Sequence, residues 1–249
     1  MDETTLAVTD DSILGGRASL RQPAKGYRAG LDAALLAAAC DTGSNGRVIE
    51  PGCGVGAVML AAAVRRPGVR FLGLERDPKA AALAVHNVAA NGLADRVEVV
   101  VGEIGSRGPA PGAPFDAALC NPPFFDDPGQ LWGPHPAKAG AWMADDGLAA
   151  WVRFLTRSVR EGGTVTLIHR ADRLADLLAL LAPKAGGVQV RPIHPFPEAP
   201  AGRVLVRAVK TGKAPLRLLP ALVLHERGGA KHTPEAEAIL RGEADLPWL

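Results

Sequence analysis

Between Arg47 and Arg170, short apolar runs alternate with stretches of helical character, and no other feature constrains the fold as much. "RVIE" (47–50) reads as a short buried strand, "EPGCGVGAV" as a glycine loop, and "VMLAAAVRR" as a helix that stops before Pro67-Gly68. "VRFLGLE" (69–75) is a second strand. "DPKAAALAVHNVAANG" opens on an Asp cap with proline in the first turn and closes at Asn91-Gly92. "RVEVVVG" and "FDAALC" are a third and a fourth strand. An irregular stretch (126–147) precedes the helix "LAAWVRFLTRSVR" (148–160), the strand "GGTVTLIHR" and the helix "ADRLADLLALLA". Strands alternating with helices build right-handed βαβ units, so the expected fold is α/β with a doubly wound, mostly parallel sheet. "VQVRPIH" and "RVLVRAV" follow with no helix between them, which predicts an antiparallel pair at the sheet edge. Upstream, "SILGGRASL" reads as a hairpin turning at Gly15-Gly16, followed by a helix over 32–40. With no repeat and no Gly/Ser/Pro-rich linker, residues 1–249 are expected to form one domain, with 1–45 as an N-terminal extension.

A chain with 47% hydrophobic and 22% charged residues can bury a full core, which excludes wholesale disorder. The acidic start "MDETTLAVTDD" lacks the features of a signal peptide. The longest apolar run, "LDAALLAAAC", is half of the roughly 20 residues a membrane span needs. Cys40, Cys53 and Cys120 form no Cys-x-x-Cys, and the six histidines show no metal-ligand spacing. The expectation is a soluble cytoplasmic protein with no metal and no membrane partner. The net charge of +2 hides an asymmetry. Arg17, Arg21, Lys25 and Arg28 lie in one stretch without acids, and Arg203, Arg207, Lys210, Lys213 and Arg217 lie in another. Such stretches suit a polyanion or an ordinary solvated surface.

In "EPGCGVG", Gly52, Gly54 and Gly56 stand between the first strand and its helix, where the backbone can approach a ligand closely. Glu75 ends the second strand, placed to accept from ribose hydroxyls, and Glu103 in "VGEI" is a candidate partner for an adenine amine. Gly52-x-Gly54-x-x-Ala57 also satisfies the relaxed dinucleotide fingerprint, so the pattern says nucleotide-like ligand and leaves its identity open.

"CNPPFFDD" carries the second half of the chemistry. Asn121 ends the fourth strand, beside the first in such a sheet, at the mouth of the same crevice. The lone pair of an exocyclic amine on a planar ring is delocalised and poorly nucleophilic. The Asn121 side-chain oxygen and the Pro122 carbonyl can accept from both amine hydrogens, favouring charge build-up on nitrogen. Prolines stiffen the backbone that aims them, and Phe124 offers a stacking face.

Asn-Pro-Pro-Phe after the fourth strand, with Glu-x-Gly-x-Gly-x-Gly after the first, resembles the S-adenosylmethionine-dependent amino-methyltransferases that act on adenine N6, guanine N2 or glutamine N5. "QPAKGYRAGLDAALLA" (22–37), "IHRADRLADLL" (168–178) and the run from Val190 to Glu226 resemble the bacterial enzymes that make N6-methyladenosine beside the anticodon of valine tRNA. The resemblance implies a class I methyltransferase-like seven-stranded sheet with an antiparallel edge strand, and S-adenosyl-L-methionine as cofactor. It implies that Tyr27, Arg28 and Asp32 form the N-terminal wall of the cofactor site. Glu50, Gly52, Gly54 and Gly56 would hold the methionine part, Glu75 the ribose and Glu103 the adenine edge. Asn121, Pro122 and Phe124 would hold the target base, with Asn121 also bordering the cofactor. A tRNA anticodon region is the implied partner, with Arg17, Arg21, Lys25, Arg170, Arg203, Arg207, Lys210 and Lys213 as candidate RNA contacts. Guanine-N2 methylation of ribosomal RNA, glutamine-N5 methylation of a protein, a cofactor-sensing module and an NAD-dependent oxidoreductase are the alternatives.

Overall fold

The structure is a computed structural model that describes residues 7–25, 28–105, 108–123, 144–228 and 230–249. The apolar runs become strands β3 (Arg47–Pro51), β4 (Arg70–Glu75), β5 (Val97–Val101) and β6 (Phe115–Cys120). Beyond them lie β7 (Val159–Arg170), β8 (Ala185–His194) and β9 (Arg203–Lys210). Helices α1 (Leu31–Ala38), α2 (Ala57–Arg65) and α3 (Pro78–Ala90) pack on one face, and α4 (Ala144–Ser158) and α5 (Leu174–Leu181) on the other. Asp77 caps α3, its carboxylate accepting from the Lys79 N–H at 2.9 Å, as the Asp-Pro signal predicted.

The strand order is β10-β8-β9-β7-β6-β3-β4-β5. The chain winds outward from β3 to β5, then returns to the other side of β3 at β6 and winds the opposite way. The seven expected strands, β3 to β9, are all present. Two short ones, β10 (Arg217–Leu218) and β11 (Leu222–Val223), pair in parallel with β8 and bring the sheet to nine strands. The expected antiparallel pair is β8 with β9. The reversed strand β9 is not at the edge, however, because it inserts between β7 and β8 and runs antiparallel to both. Helix α4 begins four residues before the expected 148. The helix α6 (Pro234–Leu240), which the apolar pattern did not reveal, packs with α1.

The N-terminal hairpin of β1 (Val8–Ile13) and β2 (Ala18–Pro23) turns where Gly15-Gly16 predicted. Its outer edge is covered by two asparagines, Asn87 of α3 and the helix's C-cap Asn91. The Asn87 carboxamide accepts from the Arg21 N–H at 2.8 Å and donates to the Arg21 carbonyl at 2.9 Å. Asn91 does the same to Ser19, with both bonds at 2.8 Å. Two residues of strand rise about 6.6–6.8 Å and four residues of helix about 6 Å, so amides four apart meet main-chain groups two apart. Asn87, 1% exposed, also donates to the Val55 carbonyl of the glycine loop at 2.9 Å. One side chain thus joins hairpin, helix and loop. Replacing Asn87 with Ala strands three main-chain polar groups and is expected to cost about 1–3 kcal/mol, with Asn91→Ala costing less because its site is wetter. Urea unfolding midpoints of the two variants check this order.

Candidate cofactor and amine site

Strand β3 pairs directly with β6, Val48 beside Ala117 and Ile49 beside Ala118. The loops leaving their carboxyl ends diverge, and the crevice between them brings the glycine loop and Asn121 together. Gly52 has φ of 68°, and a Cβ there would stand 2.6 Å from Cη2 of Trp151. Trp151, on α4 and 8% exposed, thus comes right up to the loop, a role its place in a helical apolar pattern did not disclose. Gly54, with φ of 55°, faces open space where a Cβ would meet nothing within 4 Å. Gly56 is the N-cap of α2.

Two buried carboxylates organise this loop. Glu75 closes β4, its oxygens accepting from the Gly54 and Asp77 N–H groups at 2.9 Å each, which leaves both oxygens with acceptor capacity. Glu50 ends β3 and accepts from the Met59 N–H in the first turn of α2 at 2.9 Å. Burial pushes the Glu50 carboxyl well above its ordinary 4.5; the Met59 N–H opposes this and the charge of Glu75 adds to it.

This arrangement discriminates between ligands. A dinucleotide pyrophosphate binds the N–H groups at a helix N-terminus. Here the protein's own Glu50 carboxyl already accepts from one of them, and the Glu75 carboxyl stands nearby. Such a cradle leaves a phosphate fewer donors and suits a ligand carrying positive charge. S-adenosylmethionine, with an ammonium and a sulfonium, fits it.

Asn121 follows β6, half-buried, and Pro122 is buried beside it. Phe124 and Tyr27 lie outside the described residues, as does most of the 126–147 stretch. Glu103 stands exposed on the loop after β5. Arg28 is exposed and turns to the hairpin, donating to Asp11 at 2.7 Å and Thr9 at 2.9 Å. Asp11 also accepts from Gln22, whose side-chain oxygen takes the Ala29 N–H at 2.9 Å. Asp11, Gln22 and Asn87 therefore tie down the N-terminal wall, and none carried a signal in the sequence beyond being polar.

The stretches without acids in the chain are not without acids in space. Arg21 pairs with Asp10, Arg203 with Asp32, Arg207 with Asp41 and Lys210 with Glu161. Arg170 pairs with Asp172, and Arg17 donates to the Gly242 carbonyl at 2.8 Å. Lys25 and Lys213 are exposed. His169 is buried within β7, where desolvation and the Arg173 charge hold its pKa to about 4, so it stays neutral near pH 7. Among the described residues no group of His, Cys, Asp and Glu could hold a metal, and no helix is long and apolar enough to cross a membrane.

Residues 28–132 match the family described as the methyltransferase small domain. Two curated proteins named tRNA1(Val) (adenine(37)-N6)-methyltransferase are similar. That of Actinobacillus succinogenes is 30% identical, over 59% of this chain and 62% of its own. That of Porphyromonas gingivalis is 33% identical, over 65% of this chain and 66% of its own. The chain thus spans under two thirds of the length of these relatives. Among solved structures, one described as a predicted O-methyltransferase from Agrobacterium tumefaciens superposes with a TM-score of 0.71 at 27% identity, covering 86% of this chain and 98% of that one.

Glu50 yields a pH test. Its carboxyl releases a proton in the unfolded chain near 4.5 but holds it higher when folded. The native state therefore binds more protons in between, and stability falls as pH rises above about 4.5 until the native carboxyl ionises. Glu50→Gln keeps an acceptor for Met59 and removes this loss. The stability gap between variant and wild type, from urea unfolding of the ligand-free proteins, is expected to open upward from pH 4.5. His169 titrates alike in both and cancels.

Proposed function

We propose that this chain, a member of the S-adenosylmethionine-dependent methyltransferases, methylates adenine N6 in RNA, at the adenosine 3′ of the anticodon of a valine tRNA. The observation that carries the reading is the β3–β6 pairing, which sets a cation-compatible glycine cradle beside an Asn-Pro-Pro amine grip. The flanking sequence and the two similar tRNA enzymes support adenine in tRNA as the target. An anticodon-loop base is already largely unpaired, so extruding it costs little.

When bound, S-adenosylmethionine supplies an electrophilic methyl group on sulfonium. Glu50 and the glycines Gly52, Gly54 and Gly56 would hold its methionine end, and Glu75 would accept from its ribose. Glu103, Tyr27, Arg28 and Asp32 would close the site, Arg28 acting through Asp11 and Asp32 through Arg203. The Asn121 side-chain oxygen and the Pro122 carbonyl accept from the amine hydrogens. They strengthen as nitrogen gains positive charge, and stacking on Phe124 fixes the plane of the base. The proton lost from nitrogen leaves to solvent.

The same acceptors serve a glutamine amide, and the pairing of five of the basic candidates with carboxylates keeps that second reading in view. Labelled S-adenosylmethionine offered to tRNA, ribosomal RNA and protein fractions separates them. Nucleoside mass spectrometry is expected to find N6-methyladenosine in tRNA, while N2-methylguanosine or methylglutamine as the main product overturns the substrate. Asn121→Ala is expected to lower kcat by about 10²- to 10³-fold. Its affinity for S-adenosylhomocysteine should match the wild type, and full activity would refute the proposed role of Asn121.

A further inference from the structure

After β8 comes His194-Pro195-Phe196-Pro197, similar in sequence to the Asn121-Pro122-Pro123-Phe124 that follows β6: a polar residue, then prolines and a phenylalanine. Strand β8 runs parallel to β7 and β6, so both segments emerge at the same edge. They are separated by β7 and β9, three strand spacings or about 14 Å.

The Phe196 ring belongs to an aromatic cluster. Its centroid is 5.5 Å from that of His225, tilted by 47°, and His225 stacks on His232 at 5.0 Å with an interplanar angle of 30°. The exposed Arg227 guanidinium covers Phe196 at 4.9 Å and pairs with Glu198. The loops carrying these rings are locked by the main chain, Leu224 N–H to the His194 carbonyl at 2.9 Å and His225 N–H to the Pro195 carbonyl at 3.0 Å. His225 Nδ1 lies 2.6 Å from the Lys231 carbonyl and His194 Nδ1 2.6 Å from the Ala199 carbonyl. A carbonyl only accepts, so both Nδ1 atoms carry hydrogen, and these bonds fix the orientation of the two rings. Arg170 at the end of β7 and Arg203 at the start of β9 are cross-strand neighbours between this stack and Asn121. A row of amine grip, two guanidiniums and an aromatic stack matches a single strand, whose phosphates need cations and whose bases need flat partners.

We propose that Phe196, His225, His232 and Arg227 form a stacking platform for a nucleotide that flanks the target base in single-stranded RNA. The proposal rests on the RNA reading of the Asn121 site and extends it to neighbouring nucleotides. With the base to be methylated held at Asn121, the strand passes over Arg170 and Arg203, which are paired with Asp172 and Asp32, and a flanking base packs against the Phe196–Arg227 pair. The platform then selects the loop conformation that presents the target, which an isolated adenosine cannot supply.

Phe196→Leu keeps apolar volume and removes the π face; Arg227→Gln removes an exposed charge at little risk to folding. Both are compared with wild type by anisotropy of labelled, unmodified bulk tRNA and by methyl transfer to it. Phe196→Leu is expected to weaken tRNA binding about tenfold, raising KM for tRNA while kcat at saturation and S-adenosylhomocysteine affinity hold. Arg227→Gln is expected to flatten the slope of log K against log salt by about 0.7. If wild type methylates tRNA and both variants bind it as wild type does, the platform is wrong and the RNA reading stands. If wild type ignores tRNA and methylates protein, the RNA reading fails and takes the platform with it. Should Phe196→Leu not fold, the salt slope of Arg227→Gln decides.

Discussion

Every feature at the carboxyl edge depends on the return of β6 to lie against β3. Two right-handed crossovers carry the chain outward through α2 and α3, and the third reverses direction. At that reversal the loops that follow adjacent strands lead to opposite faces and open a crevice between them. The ladder between Val48–Ile49 and Ala117–Ala118, all but completely buried, holds the two sides of the gap in fixed register. A further ladder from Cys120 to Leu167 braces β6 from the other side. Asn121, the proposed amine grip, therefore follows directly on a strand end braced from both sides, which suits a group proposed to position a reacting atom.

Charge then decides what the gap accepts. Glycine spacing alone is common to folds that bind very different nucleotides. The difference lies in what occupies the first turn of α2, where the Glu50 carboxylate takes the Met59 N–H an incoming phosphate would want. Glu75 repeats the device by accepting from Gly54 and Asp77, so a side chain both shapes the loop and colours it negative. Burial and the neighbouring Glu75 both favour the protonated form of Glu50, and a cation in the cradle would ease its ionisation.

Much of this was legible in the chain. Short continuous apolar runs, the Asp77-Pro78 start and the glycine loop are local signals, and each became the element it announced. What was illegible depends on partners far apart in sequence. Arg203 meets Asp32 across 171 residues, so its surroundings look free of acids only along the chain. The inward place of β9 is likewise a pairing choice that strand propensity does not encode, and β10 and β11 are too short to show a period. Asn91 read as helix punctuation and Asn87 as nothing at all, yet they turn toward β2 and join three elements.

The asparagine rungs carry one more consequence. Strand and helix advance at unequal steps, so successive rungs drift apart by somewhat under 1 Å and a third would miss by more than 1 Å. The arrangement acts as a vernier: it closes at one setting and opens at every other. A hairpin held this way cannot slide along α3 to a neighbouring register. The segment that follows it, leading to Asp32, is thereby indexed to the glycine loop through the single carboxamide of Asn87.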